Sequence, residues 1–124
     1  MAIEDIVVVS VPVSDQDRAK AFYVDKLGFD LLNDVEAEGI HWVEVAPKSR
    51  NVSLTLVTWF ESMPPGSLQG LVLSTKDARA DYEELKSRGV PFDGPPKEQP
   101  WGTTEAVLRD PDGNMLVLQQ GRSQ

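Results

Sequence analysis

One succession of elements is written twice in this chain. IVVVSVPV at 6–13 alternates as a strand, and the residues after it, SDQDRAKAFYVDKLG, have helical spacing. GLVLST at 70–75 alternates again, and KDARADYEELKSRG at 76–89 again reads as a helix. Gly28 and Gly89, 61 residues apart, are the helix stops. Three strands are expected after the first helix, near 29–34, 40–46 and 52–59, and three shorter ones after the second, near 90–93, 103–109 and 115–120. The chain is therefore an internal repeat of βαβββ units, an α+β architecture. SMPPGS at 62–67 is the linker, because its prolines and glycine break helix and strand alike. The modules are 1–61 and 68–124, within a single domain of 124 residues. Neither half, at about sixty residues, buries much core alone, so the two are expected to fold together.

The first strand divides into two faces. Val7, Val9, Val11 and Val13 make one that is wholly β-branched, suited to packing on a helix. Ile6, Val8, Ser10 and Pro12 make the other. Ser14 or Asp15 caps the first helix, with Asp17 in its first turn. Phe22, Tyr23 and Leu27 in the first helix, and Tyr82 and Leu85 in the second, supply the apolar sides.

Composition excludes several functions. Twenty acidic against 12 basic side chains give a formal charge of −8, which a nucleic acid or an anionic membrane would repel. No apolar run approaches the ~20 residues needed to cross a bilayer. MAIEDIVV lacks the basic region of a signal peptide. The chain has no cysteine, hence no disulfide, no thiolate nucleophile and no thiolate metal site. A cytoplasmic protein is expected.

VSVPVSDQDRAKAFYVDKLGFD at 9–30, LVLSTKDARADYEELKSRGVPF at 71–92 and WGTTEAVLRDPDGNMLVLQQ at 101–120 together resemble the vicinal oxygen chelate superfamily, the glyoxalase/bleomycin resistance/dioxygenase fold. The resemblance spans nearly the whole chain. It implies two βαβββ modules curved into a cup. The cup typically holds a divalent metal on four side chains, one from the first and one from the last strand of each module. Those strands are expected to lie centrally in each sheet. It also implies a homodimer.

Carried onto this sequence, the four ligand positions fall on Val8, Ser53, Gly70 and Val117. Valine and glycine have no ligand atoms, and a neutral serine hydroxyl alone is a poor donor. His41 is the one histidine, so a two-histidine iron centre is excluded short of unequal sites. The resemblance thus points to a metal-free member with no cofactor. The inward-facing candidates for ligand binding are Val8, Ser10, Ser53, Thr55, Val57 and Trp59 in the first module. Gly70, Val72, Met115, Val117 and Gln119 are their counterparts in the second. This set is an apolar floor with scattered hydroxyls and one amide, as organic-ligand pockets have; the same set also describes a packed interior.

Trp101 follows the proline-rich GPPKEQP, read as a loop, and either stacks on a flat ligand or anchors that loop by its own burial. His41, Glu44 and Glu105 are the candidates for acid–base catalysis, each also readable as structural or surface groups. DPDGN at 110–114 is a turn. The expected function is binding of a small apolar or aromatic molecule, such as an antibiotic or other natural product sequestered without turnover. The alternative is a glyoxalase-like lyase, epimerase or dioxygenase with atypical metal ligands, or metal-free acid–base catalysis.

Overall fold

A computed structural model describes residues 2–121. Its chain falls into two compact units, 1–64 and 65–124. In the first, β1 (Val8–Pro12) leads into α1 (Gln16–Ala21), followed by β2 (Asp30–Ala37), β3 (Ile40–Ala46) and β4 (Ser53–Val57). In the second, β5 (Gln69–Thr75) leads into α2 (Ala78–Ser87), followed by β6 (Lys97–Glu98), β7 (Thr104–Arg109) and β8 (Met115–Gln120). The sheet orders are β1-β4-β3-β2 and β5-β8-β7-β6. In both, the first strand pairs in parallel with the last and the other pairings are antiparallel. The repeat is therefore one of topology as well as of pattern.

Helix starts follow the sequence closely. Asp15 accepts a hydrogen bond from the Arg18 amide and Asp77 from the Ala80 amide, both at 3.0 Å. Each such cap stabilises its helix by about 1 kcal/mol. Of the two capping candidates for the first helix, the carboxylate of Asp15 makes the bond. The first helix ends differently from expectation. It is α-helical only to Ala21, then widens into a π turn over Phe22–Lys26, with the Leu27 amide bonded to the Phe22 carbonyl at 3.1 Å. Phe22 and Tyr23 are both buried there, edge to face with ring centroids 5.1 Å apart. Burial of each is worth about 1.5–3 kcal/mol.

One face of each sheet carries its unit's core. Val11, Val43, Val45, Leu54 and Leu56 are buried with Ala19, Phe22 and Tyr23. In the second unit Ala106, Leu108, Leu116 and Leu118 are buried with Ala78 and Val90. The partners Ala106↔Leu118 and Leu108↔Leu116 put these four on one face, so Glu105, Val107, Val117 and Gln119 lie on the other.

Three expectations need correction. Residues 90–93 do not form a strand; they contribute one bridge, Phe92 to Leu108, and the strand itself is the short β6. Pro91, Pro95 and Pro96 lack the amides that a ladder needs. GPPKEQP is accordingly not all loop, since Lys97 and Glu98 pair with Glu105 and Thr104. Of the first and last strands of each module, β1 and β5 are edge strands of their four-stranded sheets, while β4 and β8 are internal, beside β3 and β7.

Candidate functional site

The strand register decides which candidates share a face. In the first unit Val8 is opposite Ser53, Ser10 opposite Thr55, and Glu44 opposite Thr55 on its other side. Trp42 and Glu44 alternate with the buried Val43, so they share the face of Thr55, away from the helix. Ser53 and Thr55 are buried at 5% and 1% exposure, and a buried hydroxyl needs a partner. Thr55 has the Ser10 hydroxyl at 3.3 Å. Ser53 donates to Oε2 of Glu44.

Glu44 is the hub of this face. Its Oε1 accepts from Asn33 Nδ2 at 2.9 Å and from the indole of Trp42 at 3.1 Å. Both oxygens are thus engaged. The Ser53 hydroxyl foremost, with Asn33 and Trp42, holds the carboxyl below its ordinary range, against burial that pushes it up. The Trp42 ring stacks on Trp59, centroids 6.5 Å apart at 25°, and Trp59 in turn meets Phe60 at 6.1 Å. Trp59 lies beyond the end of β4, and Val57 is buried opposite Pro12.

The second unit places a carboxylate at the equivalent strand position. Val72 is opposite Val117, Ser74 opposite Gln119, and Glu105 opposite Gln119 on the far side. Met115 is opposite Gln69. Gly70 falls in a bulge, where the register slips between Gln69 and Leu71, so it has no partner position on β8. Glu105 accepts three hydrogen bonds, all on Oε2: from Thr103 Oγ1 at 2.6 Å, Gln119 Nε2 at 2.9 Å and the Trp101 indole at 3.1 Å. Thr103 above all, then Gln119 and Trp101, hold the carboxyl below its ordinary range while burial opposes them.

Trp101 stands at the tip of a hairpin. The Gln99 amide bonds the Thr103 carbonyl at 2.8 Å and the Gly102 amide bonds the Gln99 carbonyl at 2.9 Å. Pro100-Trp101-Gly102 is thus a three-residue connection between β6 and β7. Proline suits its first position, and Gly102, at φ 98°, takes the left-handed one. The indole is 67% exposed although its N–H is bonded, so its burial does not anchor a loop. The ring is thus presented to solvent in a fixed pose.

The acid–base candidates fare unequally. His41 alternates with Trp42 and so lies on the helix side of the first sheet, where its Nε2 is 2.5 Å from Asp34 Oδ1. Lys20 of α1 holds the other Asp34 oxygen at 2.5 Å. Glu44 and Glu105 share neither His41's face nor a raised pKa. A general base works best with a pKa near the working pH, and hydrogen bonding moves both carboxyls the opposite way.

Sequence reasoning missed Asn33, Trp42 and Thr103 as members of these networks. Trp42 and Glu44, and Thr103 and Glu105, are each two residues apart, a spacing that puts side chains on one strand face. Asn33 had no such signal, because β2 carries a register shift between Leu31 and Asn33.

The model of the Glyoxalase/Bleomycin resistance protein/Dioxygenase superfamily matches residues 5–118. The chain belongs to this superfamily. It is similar to TnmS3, an antibiotic binding protein from Streptomyces sp. CB03234, at 52% identity, covering 98% of this chain and 99% of that one, with a TM-score of 0.92. A second Streptomyces sp. CB03234 structure, a glyoxalase/bleomycin resistance protein, is also 52% identical, over 94% of this chain and all of that one, at a TM-score of 0.83. YetH of Bacillus subtilis (strain 168) is 37% identical over 95% of this chain and 99% of its own length.

The metal of many superfamily members does not fit the residues here. Val8 and Ser53 face each other across β1 and β4, Val117 faces Val72, and Gly70 is in the bulge. None of the four brings an imidazole or a carboxylate. Among the described residues, no three His, Asp or Glu side chains are grouped to hold an ion. No described helix is long and apolar enough to cross a membrane.

Proposed function

We propose that this chain binds a small, largely apolar or aromatic organic molecule of the antibiotic type and sequesters it without turnover and without a metal. The observation that carries the reading is Trp101, an exposed indole fixed by the ionised Glu105 at 3.1 Å. A preset ring presents area to a flat ligand with little further loss of side-chain entropy. Similarity to an antibiotic binding protein at 52% identity supports the same reading. So do the two carboxylates, which are held as anions and so made acceptors instead of bases. Val8, Ser10, Ser53, Thr55 and Val57 are assigned as lining of the ligand-binding face in the first unit, and Val72, Met115, Val117 and Gln119 in the second.

Calorimetric titration with a panel of natural-product antibiotics tests the proposal, together with elemental analysis of protein purified without chelator. Submicromolar to micromolar binding with the compound recovered intact is expected. A stoichiometric transition metal, or conversion of the bound compound, would replace the proposal with a glyoxalase-like enzyme using atypical ligands.

A further inference from the structure

The two carboxylates differ in a way that bears on which ligands are taken. Glu44 has hydrogen bonds on both oxygens, so it holds its own neighbours together. Glu105 gathers three donors on Oε2 and leaves Oε1 with none among the described residues. Lys97 is its register partner across β6 and β7, yet the two form no ion pair. The charge on Glu105 is therefore fixed in place and not neutralised by the lysine opposite it.

The surroundings show a cost accepted to hold this carboxylate. Gln119 turns its amide N–H toward Glu105, which leaves its own Oε1 buried with no partner. Flipping the amide would satisfy neither group, since two acceptor oxygens would then face each other. An orphaned buried acceptor destabilises the fold, because its desolvation is not offset by a bond. Such a group calls for a specific explanation, and service to a functional carboxylate is one. Glu105 also lines a cleft of about 190 Å³ with Asp93, Pro95, Lys97, Gln99 and Val107. That is smaller than a pocket that encloses a whole drug-sized ligand, so the cleft takes the edge of one.

We propose that Glu105 is the ligand-reading acceptor of the second unit: its free Oε1 takes a hydrogen bond from a hydroxyl or amino group on the edge of a flat aromatic ligand that lies against Trp101. The ligand class is then a donor-bearing aromatic, not an aromatic in general. The inference rests on the binding reading above. A hydrogen bond to an ionised carboxylate is worth more than a neutral one. Loss of the ligand's donor leaves the anion facing an apolar group or a lone pair.

The test compares naphthol with its methyl ether, which keeps the ring and the oxygen but has no donor. Binding to the wild-type chain is followed by calorimetry. Naphthol is expected to bind roughly tenfold or more tightly than the ether. In Glu105→Gln the three donors on Oε2 require the amide oxygen there, so the amide N–H₂ takes the Oε1 place. The preference is expected to vanish or reverse in favour of the ether. Trp101→Phe is expected to weaken both probes while keeping the preference. Equal affinity of both probes for the wild-type chain overturns the inference and leaves the binding reading intact. Failure of both probes to bind at millimolar concentration overturns the inference as well, whereas the binding reading falls only if the natural-product panel also fails. The wild-type comparison needs no variant, so a Glu105→Gln chain that fails to fold does not rescue the proposal.

Discussion

The indole N–H of Trp101 and the carboxylate of Glu105 meet at 3.1 Å across the turn of the β6–β7 hairpin. This bond is stronger to the anion than to the neutral carboxyl, which gives the site a defined response to acid. Hydrogen bonds from Thr103, Gln119 and Trp101 lower the Glu105 pKa from an ordinary value of 4.5. Stability from a group lowered on folding is complete above the ordinary value and is lost as pH falls through the lowered one. Tryptophan emission of a Trp42→Phe, Trp59→Phe chain, which reports Trp101 alone, is expected to hold steady above about pH 4.5 and to change below it. Glu105→Gln removes that transition. A transition near neutrality would contradict the assignment.

Glu44 is predicted to act on stability. Ser53→Ala removes one donor to Oε2 and should cost about 1 kcal/mol in urea unfolding. Glu44→Ala should cost more, about 1–3 kcal/mol, because it takes the acceptor from Asn33 and the Trp42 N–H and leaves the buried Ser53 hydroxyl only the Val7 carbonyl at 3.3 Å. Equal costs for the two variants would show that the Asn33 and Trp42 bonds to Glu44 add nothing to stability beyond the Ser53 bond.

Much of this architecture was legible in the sequence because its signals are local. The cap Asp15, the helix-stopping Gly28 and Gly89, and the alternation of VVVSVPV each depend on neighbours within a few residues. The face shared by Val8, Ser10, Ser53 and Thr55 followed from period two once the strands were placed. Gly70 did not follow, because a bulge inserts a residue that no alternation announces. The Glu105 network was equally hidden. It needs the hairpin that returns Trp101 over β7 and the register that sets Gln119 opposite Glu105, both products of pairing between distant segments. The repeat does carry Glu44 onto Glu105, 61 residues on, as it carries Gly28 onto Gly89. The pairing of Thr55 with Ser10 and Glu44 recurs as that of Gln119 with Ser74 and Glu105.

The DPDGN turn is predicted to be a structural clamp. Asn114 is fully buried; its Nδ2 donates to Asp110 Oδ2 at 2.8 Å and its Oδ1 accepts from the Leu68 amide at 3.0 Å. The turn therefore fastens the end of the linker segment to the start of β8. Asn114→Ala should destabilise by about 2–3 kcal/mol, as a buried amide and a buried carboxylate each lose a partner. Asn114→Asp keeps the shape but sets a second carboxylate against Asp110, and should be worse at neutral pH than in mild acid. Urea midpoints across pH provide the comparison.

His41 is predicted to be dispensable for ligand binding. It is on the helix side of its sheet, bonded to Asp34, and Asp34 is held below its ordinary pKa by Lys20 first and His41 second. His41→Ala should leave ligand affinity within about twofold and cost the ~0.2–1 kcal/mol of a solvent-facing pair. Loss of an activity or of binding on this change alone would return His41 to the site.

Association is the last expectation. Ile3, Ile6 and Val7 are 78%, 72% and 63% exposed, and they run directly into β1, the edge strand of its four-stranded sheet. An apolar segment beside an unpaired edge offers both burial and backbone hydrogen bonds to another chain. A homodimer is predicted, sedimenting at micromolar concentration with twice the 13.7 kDa mass of the chain. Lysine is a residue that natural edges use against pairing, because its charge cannot be buried in a joined sheet. Ile6→Lys with Val7→Lys should therefore shift the equilibrium to monomer. Neither residue is buried, so the folded chain should keep its circular dichroism. A wild-type chain that sediments as a monomer, or a double variant that stays dimeric, would place the association surface elsewhere or remove it.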